Sequence, residues 1–162
     1  MDKLDKMAAA VDIAAKEARA ISQLSIATSF SIEEAYEIQK RAIARRIDRG
    51  ESLVGLKMGF TSEAKMIQMG VHDMIWGRLT DSMLIENGGE LSLGSFIHPR
   101  AEPEVCFRIS KDIKGEIPLK DLDEYVDGIA AAIEIIDSRF ENFKFSLEDV
   151  VADNCSSSAL VI

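Results

Sequence analysis

Glu102 and Glu104 stand two apart in Arg100-Ala101-Glu102-Pro103-Glu104-Val105-Cys106-Phe107. On a strand that spacing puts both on one face and turns Val105, Phe107 and Ile109 the other way, toward a core. Carboxylates so placed repel unless a cation lies between them. The pair therefore reads either as a solvated strand face or as half of a cation site. Glu134 is the next anomaly. It interrupts Ile129-Ala130-Ala131-Ala132-Ile133-Glu134-Ile135-Ile136, a run otherwise fit for a fully buried strand. An unpaired carboxylate there costs several kcal/mol or takes up a proton, so Glu134 either pairs with a cation such as Arg139 or belongs to the same site. Three carboxylates from two strands suit a hard divalent cation, Mg²⁺ or Mn²⁺, with water or substrate oxygens completing an octahedron.

Gly55-Leu56-Lys57-Met58-Gly59 sets a lysine between glycines on a short strand. Bare glycines let a ligand come close, and a desolvated lysine holds an oxyanion or moves a proton; the plain alternative is an exposed strand lysine. Asp81, in Leu79-Thr80-Asp81-Ser82-Met83, and the run Asp153-Asn154-Cys155-Ser156-Ser157-Ser158 are polar clusters beside apolar segments. Either could be ordinary turn chemistry. Asn154-Cys155-Ser156 matches a glycosylation sequon, which carries little weight because Met1 to Lys6 is too polar and acidic to open a signal peptide. Two histidines, His72 and His98, and two distant cysteines, Cys106 and Cys155, supply neither a histidine-rich metal site, a zinc knuckle nor a disulfide framework.

The elements that must position these groups fall into two parts. Leu4, Met7, Ala8, Val11, Ala14, Ala15, Ala18, Ile21 and Leu24 recur at helical spacing as one apolar stripe. Ser31 and Glu34 form a capping box that opens a second helix through Ile38, Ile43 and Ile47, closed by Arg49-Gly50. Beyond Gly50 the pattern turns to short strands: Val54–Phe60, then a short helix Glu63–Met69. A hairpin is expected to join Met83-Leu84-Ile85 to Leu91-Ser92-Leu93 through Asn87-Gly88-Gly89. Val105–Ile109 and Ile129–Ile136 are further strands, with a short helix over Asp121–Val126. The fold class expected is α+β, a helical portion over residues 1–50 and a β-rich portion over 51–162 in a single folding unit. A chain of 162 residues, 47% hydrophobic, is long enough for one domain with a real core. Its 19 basic and 28 acidic residues leave a net charge of −9, which argues against nucleic acid as a partner. No apolar run is long enough to span a bilayer, so no membrane is expected and a cytoplasmic location is.

Four segments, in order, resemble a known family. They are Gly55–Ser62 around Lys57, His98–Glu104, Glu134–Arg139 and Asp153–Ser157. Their wording is similar to the 2-oxopent-4-enoate hydratase and 4-oxalocrotonate decarboxylase branch of the fumarylacetoacetate hydrolase superfamily, across essentially the whole chain. Lys65–Val71, Gly77–Asp81 and Asp137–Phe145 read more like the decarboxylase. The resemblance implies a helical N-terminal portion packed on a mixed β-sheet or β-roll core. It implies Glu102, Glu104 and Glu134 as ligands of Mg²⁺ or Mn²⁺, Lys57 as the active-site lysine, and Asp81 and Ser156 as pocket residues. The reaction it implies is decarboxylation of 2-oxo-hex-3-enedioate to 2-oxopent-4-enoate and CO₂ in aromatic meta-cleavage catabolism. The alternatives are the hydratase reaction or a catalytically silent subunit. A small 2-oxo dicarboxylate is the expected substrate, and a homo-oligomer able to associate with the homologous hydratase is the expected assembly. Family members are longer, with further C-terminal strands, so a C-terminally truncated core is expected.

Overall fold

The computed structural model describes residues 1–69 and 74–162, without the side chains of 65, 68 and 69. Gly70, Val71, His72 and Asp73 lie outside the described residues. The chain opens with helix α1 (Lys3–Lys16), the short α2 (Leu24–Ala27) and α3 (Ile32–Asp48). An antiparallel ribbon follows, β1 (Leu53–Gly59) and β2 (Ile75–Thr80), joined through α4 (Glu63–Met69). The remaining strands β3 (Leu84–Ile85), β4 (Arg100–Ile109), β5 (Val126–Ile136) and β6 (Ser157–Val161) form one sheet in the order β3-β6-β5-β4. Helix α5 (Leu147–Ala152) lies between β5 and β6 in sequence. β3 runs parallel to β6, and the other pairs are antiparallel, so the sheet is mixed.

Local chemistry explains the helix starts. Asp2 with Asp5, Ser31 with Glu34 and Ser146 with Asp149 each form reciprocal capping boxes, satisfying backbone donors that a helix start leaves free. The expected Arg49-Gly50 stop is present, with Gly50 at φ +101°. The core joins Met7, Ala8 and Val11 of α1, Ala35, Ile38 and Ala42 of α3, Val150, Val151 and Ala152 of α5, and the wholly buried Phe140. Gln39, also wholly buried, ties three elements together: its Nε2 donates to the carbonyls of Trp76 in β2 (3.0 Å) and Val151 in α5 (2.9 Å).

Several expectations need correction. The apolar stripe through Leu24 is not one helix, because α1 stops at Lys16 and Ala18 turns to φ 47°. Ile21 then leaves helical geometry to pair its backbone with the 139–141 segment: its N–H donates to Arg139 O and its carbonyl accepts from Glu141 N–H. The Asn87-Gly88-Gly89 turn forms, with Gly89 N–H donating to Glu86 O at 2.8 Å, yet no hairpin follows it. β3 pairs with β6 instead, and Leu93–Ser95 coils into a 3₁₀ turn. The helix expected at Asp121–Val126 is a 3₁₀ turn over Leu119–Glu124. β5 is not fully buried. It alternates, leaving Ile129 69% and Ile133 46% exposed, and Val105 (60%), Phe107 (53%) and Ile109 (50%) share that open face instead of entering a core. Among the described residues no layer packs over it.

Candidate metal centre

The site is written in the register between β4 and β5. Antiparallel pairing sets Glu102 directly opposite Glu134 and Glu104 opposite Ala132. Strand alternation then brings all three carboxylates to one face, with one oxygen from each lying within 4.8 Å of the others. Pro103 between them costs no ladder bond on the outer side, because β4 is the edge of its sheet. Glu102 is half-buried, Glu104 exposed and Glu134 buried at 5% exposure.

Glu134 is paired, though not with Arg139. Lys57 crosses from β1 and its Nζ lies 2.9 Å from Glu134 Oε2, with both side chains mostly buried. The same Nζ donates to the Cys155 carbonyl at 3.2 Å. Glu134 Oε1 is buried with no hydrogen-bond partner among the described residues, which leaves a carboxylate oxygen free to bind something else. One ammonium against three convergent carboxylates leaves the cluster net negative. The strain shows at Glu104, whose carboxyl, though its residue is exposed, is partly shielded from water by its neighbours and is held above the usual carboxylate range by that desolvation and by the Glu134 charge, against the pull of Lys57. An unsatisfied buried oxygen, a surplus of negative charge and an all-oxygen donor set together fit a hard divalent cation.

Arg139 serves a different purpose. It is buried with Asp153, donating through its backbone N–H and its guanidinium to that carboxylate, and through Nη1 to Ser158 Oγ at 2.7 Å. Burial pushes the Asp153 carboxyl up to about 6 despite Arg139. Asp137 accepts from the backbone N–H groups of Ile97 (2.9 Å) and His98 (2.7 Å), and its own N–H donates to Ser156 O. These residues fix the turn at Asn154, Cys155 and Ser156, all three at positive φ without a glycine, a conformation that persists only where surroundings enforce it. Asn154 completes the clamp on the other side: its Oδ1 accepts from Arg78 N–H at 2.7 Å and its Nδ2 donates to Arg78 O at 2.8 Å. Gly77 allows this close docking, since a Cβ there would lie 2.7 Å from the Asn154 carbonyl oxygen. Gly77 is the register partner of Lys57, so the clamp also sets where the lysine reaches the carboxylates. No residue type in the sequence marks this turn. Its only trace is the density of polar residues from Asp153 to Ser158 beside an apolar strand.

Of the pocket candidates, Ser156 lies next to the carbonyl that Lys57 binds, with its Oγ buried and unpartnered among the described residues. Asp81 is elsewhere. It is exposed, and its Oδ1 accepts from the N–H groups of Ser52 (3.0 Å) and Ser82 (2.9 Å). It follows β2 four residues past Gly77, roughly 13 Å along the ribbon from the lysine's register position. The glycines flanking Lys57 differ: a Cβ at Gly59 would meet Ile75 at 2.9 Å, so that position is already filled by a neighbour, whereas Gly55 is exposed and a Cβ there would meet only Leu79, at ordinary contact distance. Cys155 is no nucleophile, because burial pushes its thiol up to about 12.

No family model matches the chain. The chain is 50% identical over 160 residues to a 4-oxalocrotonate decarboxylase from Pseudomonas sp, covering 99% of this chain and 62% of that protein. A 2-hydroxypent-2,4-dienoate hydratase from Pseudomonas putida is 36% identical over 134 residues, 82% of this chain and 60% of the relative. Among solved structures, the 4-oxalocrotonate decarboxylase of Pseudomonas putida G7 complexed with magnesium and adipate superimposes with a TM-score of 0.94 at 35% identity. That match covers 98% of this chain and 61% of the solved one. The same enzyme complexed with calcium and acetate gives 0.91 at 32% identity. The chain therefore spans under two thirds of the length of these relatives, and over that span it belongs to the family of 4-oxalocrotonate decarboxylases and their related hydratases.

Proposed function

We propose that this chain carries the metal- and lysine-bearing part of a decarboxylase acting on 2-oxo-hex-3-enedioate, releasing CO₂ and 2-oxopent-4-enoate or its dienol. The observation that carries the reading is the meeting of Glu102, Glu104 and Glu134 on one face with Lys57 seated on Glu134. The three glutamates would hold Mg²⁺ or Mn²⁺. When bound, that cation supplies a Lewis acid that makes a 2-oxo acid's carbonyl an electron sink. In the reaction the bond between C5 and the distal carboxylate breaks. Its electron pair moves through the C3–C4 double bond to the 2-oxo oxygen, CO₂ departs, and a proton then neutralises the dienolate, leaving the C1 carboxylate as the product's remaining charge.

Lys57 is the group suited to that charge. Its ammonium is largely shielded from solvent and fixed by Glu134 and the Cys155 carbonyl, so it stands ready to stabilise developing negative charge or to give up a proton. Ser156, with its hydroxyl uncommitted and next in sequence to the carbonyl that Lys57 binds, is proposed to orient substrate oxygens, and Asp81 to form a more distant part of the pocket wall. Hydration of a 2-hydroxydienoate is the second reading, favoured by the hydratase relatives at 36% identity. The test is CO₂ release from 2-oxo-hex-3-enedioate by the folded chain with Mg²⁺, repeated with EDTA. Metal-dependent release is expected. Water addition to the dienoate without CO₂ would favour the hydratase, and a folded, metal-binding chain that turns over neither compound would overturn the enzymatic reading.

A further inference from the structure

Arg100 stands on the same strand face as the three carboxylates, one alternation before Glu102 and opposite Ile136 in register. An arginine one alternation along the same face from a cluster carrying excess negative charge would be expected to pair with Glu102. It does not. Among the described residues Arg100 forms no ion pair, and its guanidinium carbon instead sits 3.8 Å above the centre of the Phe143 ring. Phe143 is itself held at φ 58° in the Glu141–Phe143 turn, against the rings of His98 and Phe145. The aromatic face restrains the arginine without neutralising it, because the interaction uses the ring quadrupole and leaves the N–H fork free. The other arginine on this face, Arg108, is different: it is committed to Asp127 at 2.6 Å.

We infer that Arg100 is the substrate-binding residue for the distal carboxylate of a 2-oxo dicarboxylate whose oxo-acid end lies at the Glu102–Glu104–Glu134 centre. This rests on the proposed function above. A free, planar, five-donor cation beside a metal-type centre recognises a carboxylate two-pronged, and an extended arginine side chain bridges one strand alternation of about 7 Å. A carboxylate that leaves as CO₂ loses its charge, so an arginine on it contributes affinity and placement, and discriminates dicarboxylates from monocarboxylates.

The test uses two unreactive probes that share the 2-oxo acid end, 2-oxohexanedioate and 2-oxohexanoate, titrated calorimetrically into the chain with saturating Mg²⁺. The native chain is expected to bind the dicarboxylate about tenfold more tightly. Arg100→Ala is expected to bring that ratio close to one by weakening the dicarboxylate alone, and Arg100→Lys to keep part of it. Mg²⁺ affinity measured without probe should not fall in Arg100→Ala, since removing a nearby positive charge cannot weaken cation binding. A ratio unchanged in Arg100→Ala, or both probes weakened alike, would sink the inference and leave Arg100 as an anchor for the Phe143 turn. Failure of the native chain to bind either probe with Mg²⁺ would take down the metal-centre reading together with this one.

Discussion

At the residue scale the site depends on one buried ion pair shared between strands of different sheets. Lys57 and Glu134 are 12% and 6% exposed in their side chains, so each charge is tolerable only because of the other. Lys57→Met would leave Glu134 ionised, buried and without any donor, at a cost of about 3 kcal/mol in urea unfolding without metal. A divalent cation replaces the missing charge. Mg²⁺ should therefore raise the stability of Lys57→Met by more than it raises that of the native chain, and equal increments in both proteins would show that the carboxylates do not share a cation with the lysine. Strand alternation made the Glu102–Glu104 pair legible in the sequence, and an acid in an apolar run made Glu134 stand out. The lysine's partner was not legible. Arg139 is five residues from Glu134 and was the natural candidate, but the 57–134 contact is set by the docking of β1–β2 on the 154–156 turn, which involves residues far apart along the chain.

At the element scale, α1 is held on α3 by Asp12, whose carboxylate is 4% exposed and accepts from Arg45 Nε at 3.0 Å and both nitrogens of the Arg49 fork. Burial alone would raise its pKa, but the hydrogen bonds from Arg49 and Arg45 carry it below the usual aspartate value of 3.8. Because the folded value is the lower one, this carboxylate adds stability that is fully present above the unfolded pKa and is lost as pH falls through the folded one. Asp12→Asn should cost about 2 kcal/mol at pH 7, with the gap to the native chain narrowing below about pH 4. A gap independent of pH would mean that Asp12 acts through shape rather than charge. The Ser31–Glu34 capping box was readable because its partners are three residues apart. The end of α1 was not, since Ile21 keeps helical spacing and leaves the helix only to pair with the 139–141 segment. The Asn87–Gly89 turn was readable for the same local reason, whereas the choice of β6 over a hairpin partner for β3 is made by a strand some seventy residues later.

At the scale of the molecule, the sheet has two unlike faces. One carries the carboxylates and is met by the ribbon bearing Lys57. The other presents Val105, Phe107, Ile109, Ile129 and Ile133, all at least 46% exposed and contiguous through the β4–β5 register. Single exposed apolar residues mean little, but a continuous patch of this kind favours association. A net charge of −9 opposes it. The two effects respond differently to salt, because screening weakens repulsion between like-charged copies and leaves apolar burial intact. Sedimentation of the chain should thus show self-association that grows with protein concentration and grows further between low and high ionic strength. Phe107→Lys, at the centre of the patch, should shift the chain toward monomer at every salt concentration while leaving Mg²⁺ affinity unchanged, since residue 107 faces away from the glutamates. If association falls with salt, contacts between charges hold the copies together. If Phe107→Lys also weakens Mg²⁺ binding, the two faces are not independent and the patch helps to hold β4 and β5 in the register that assembles the site.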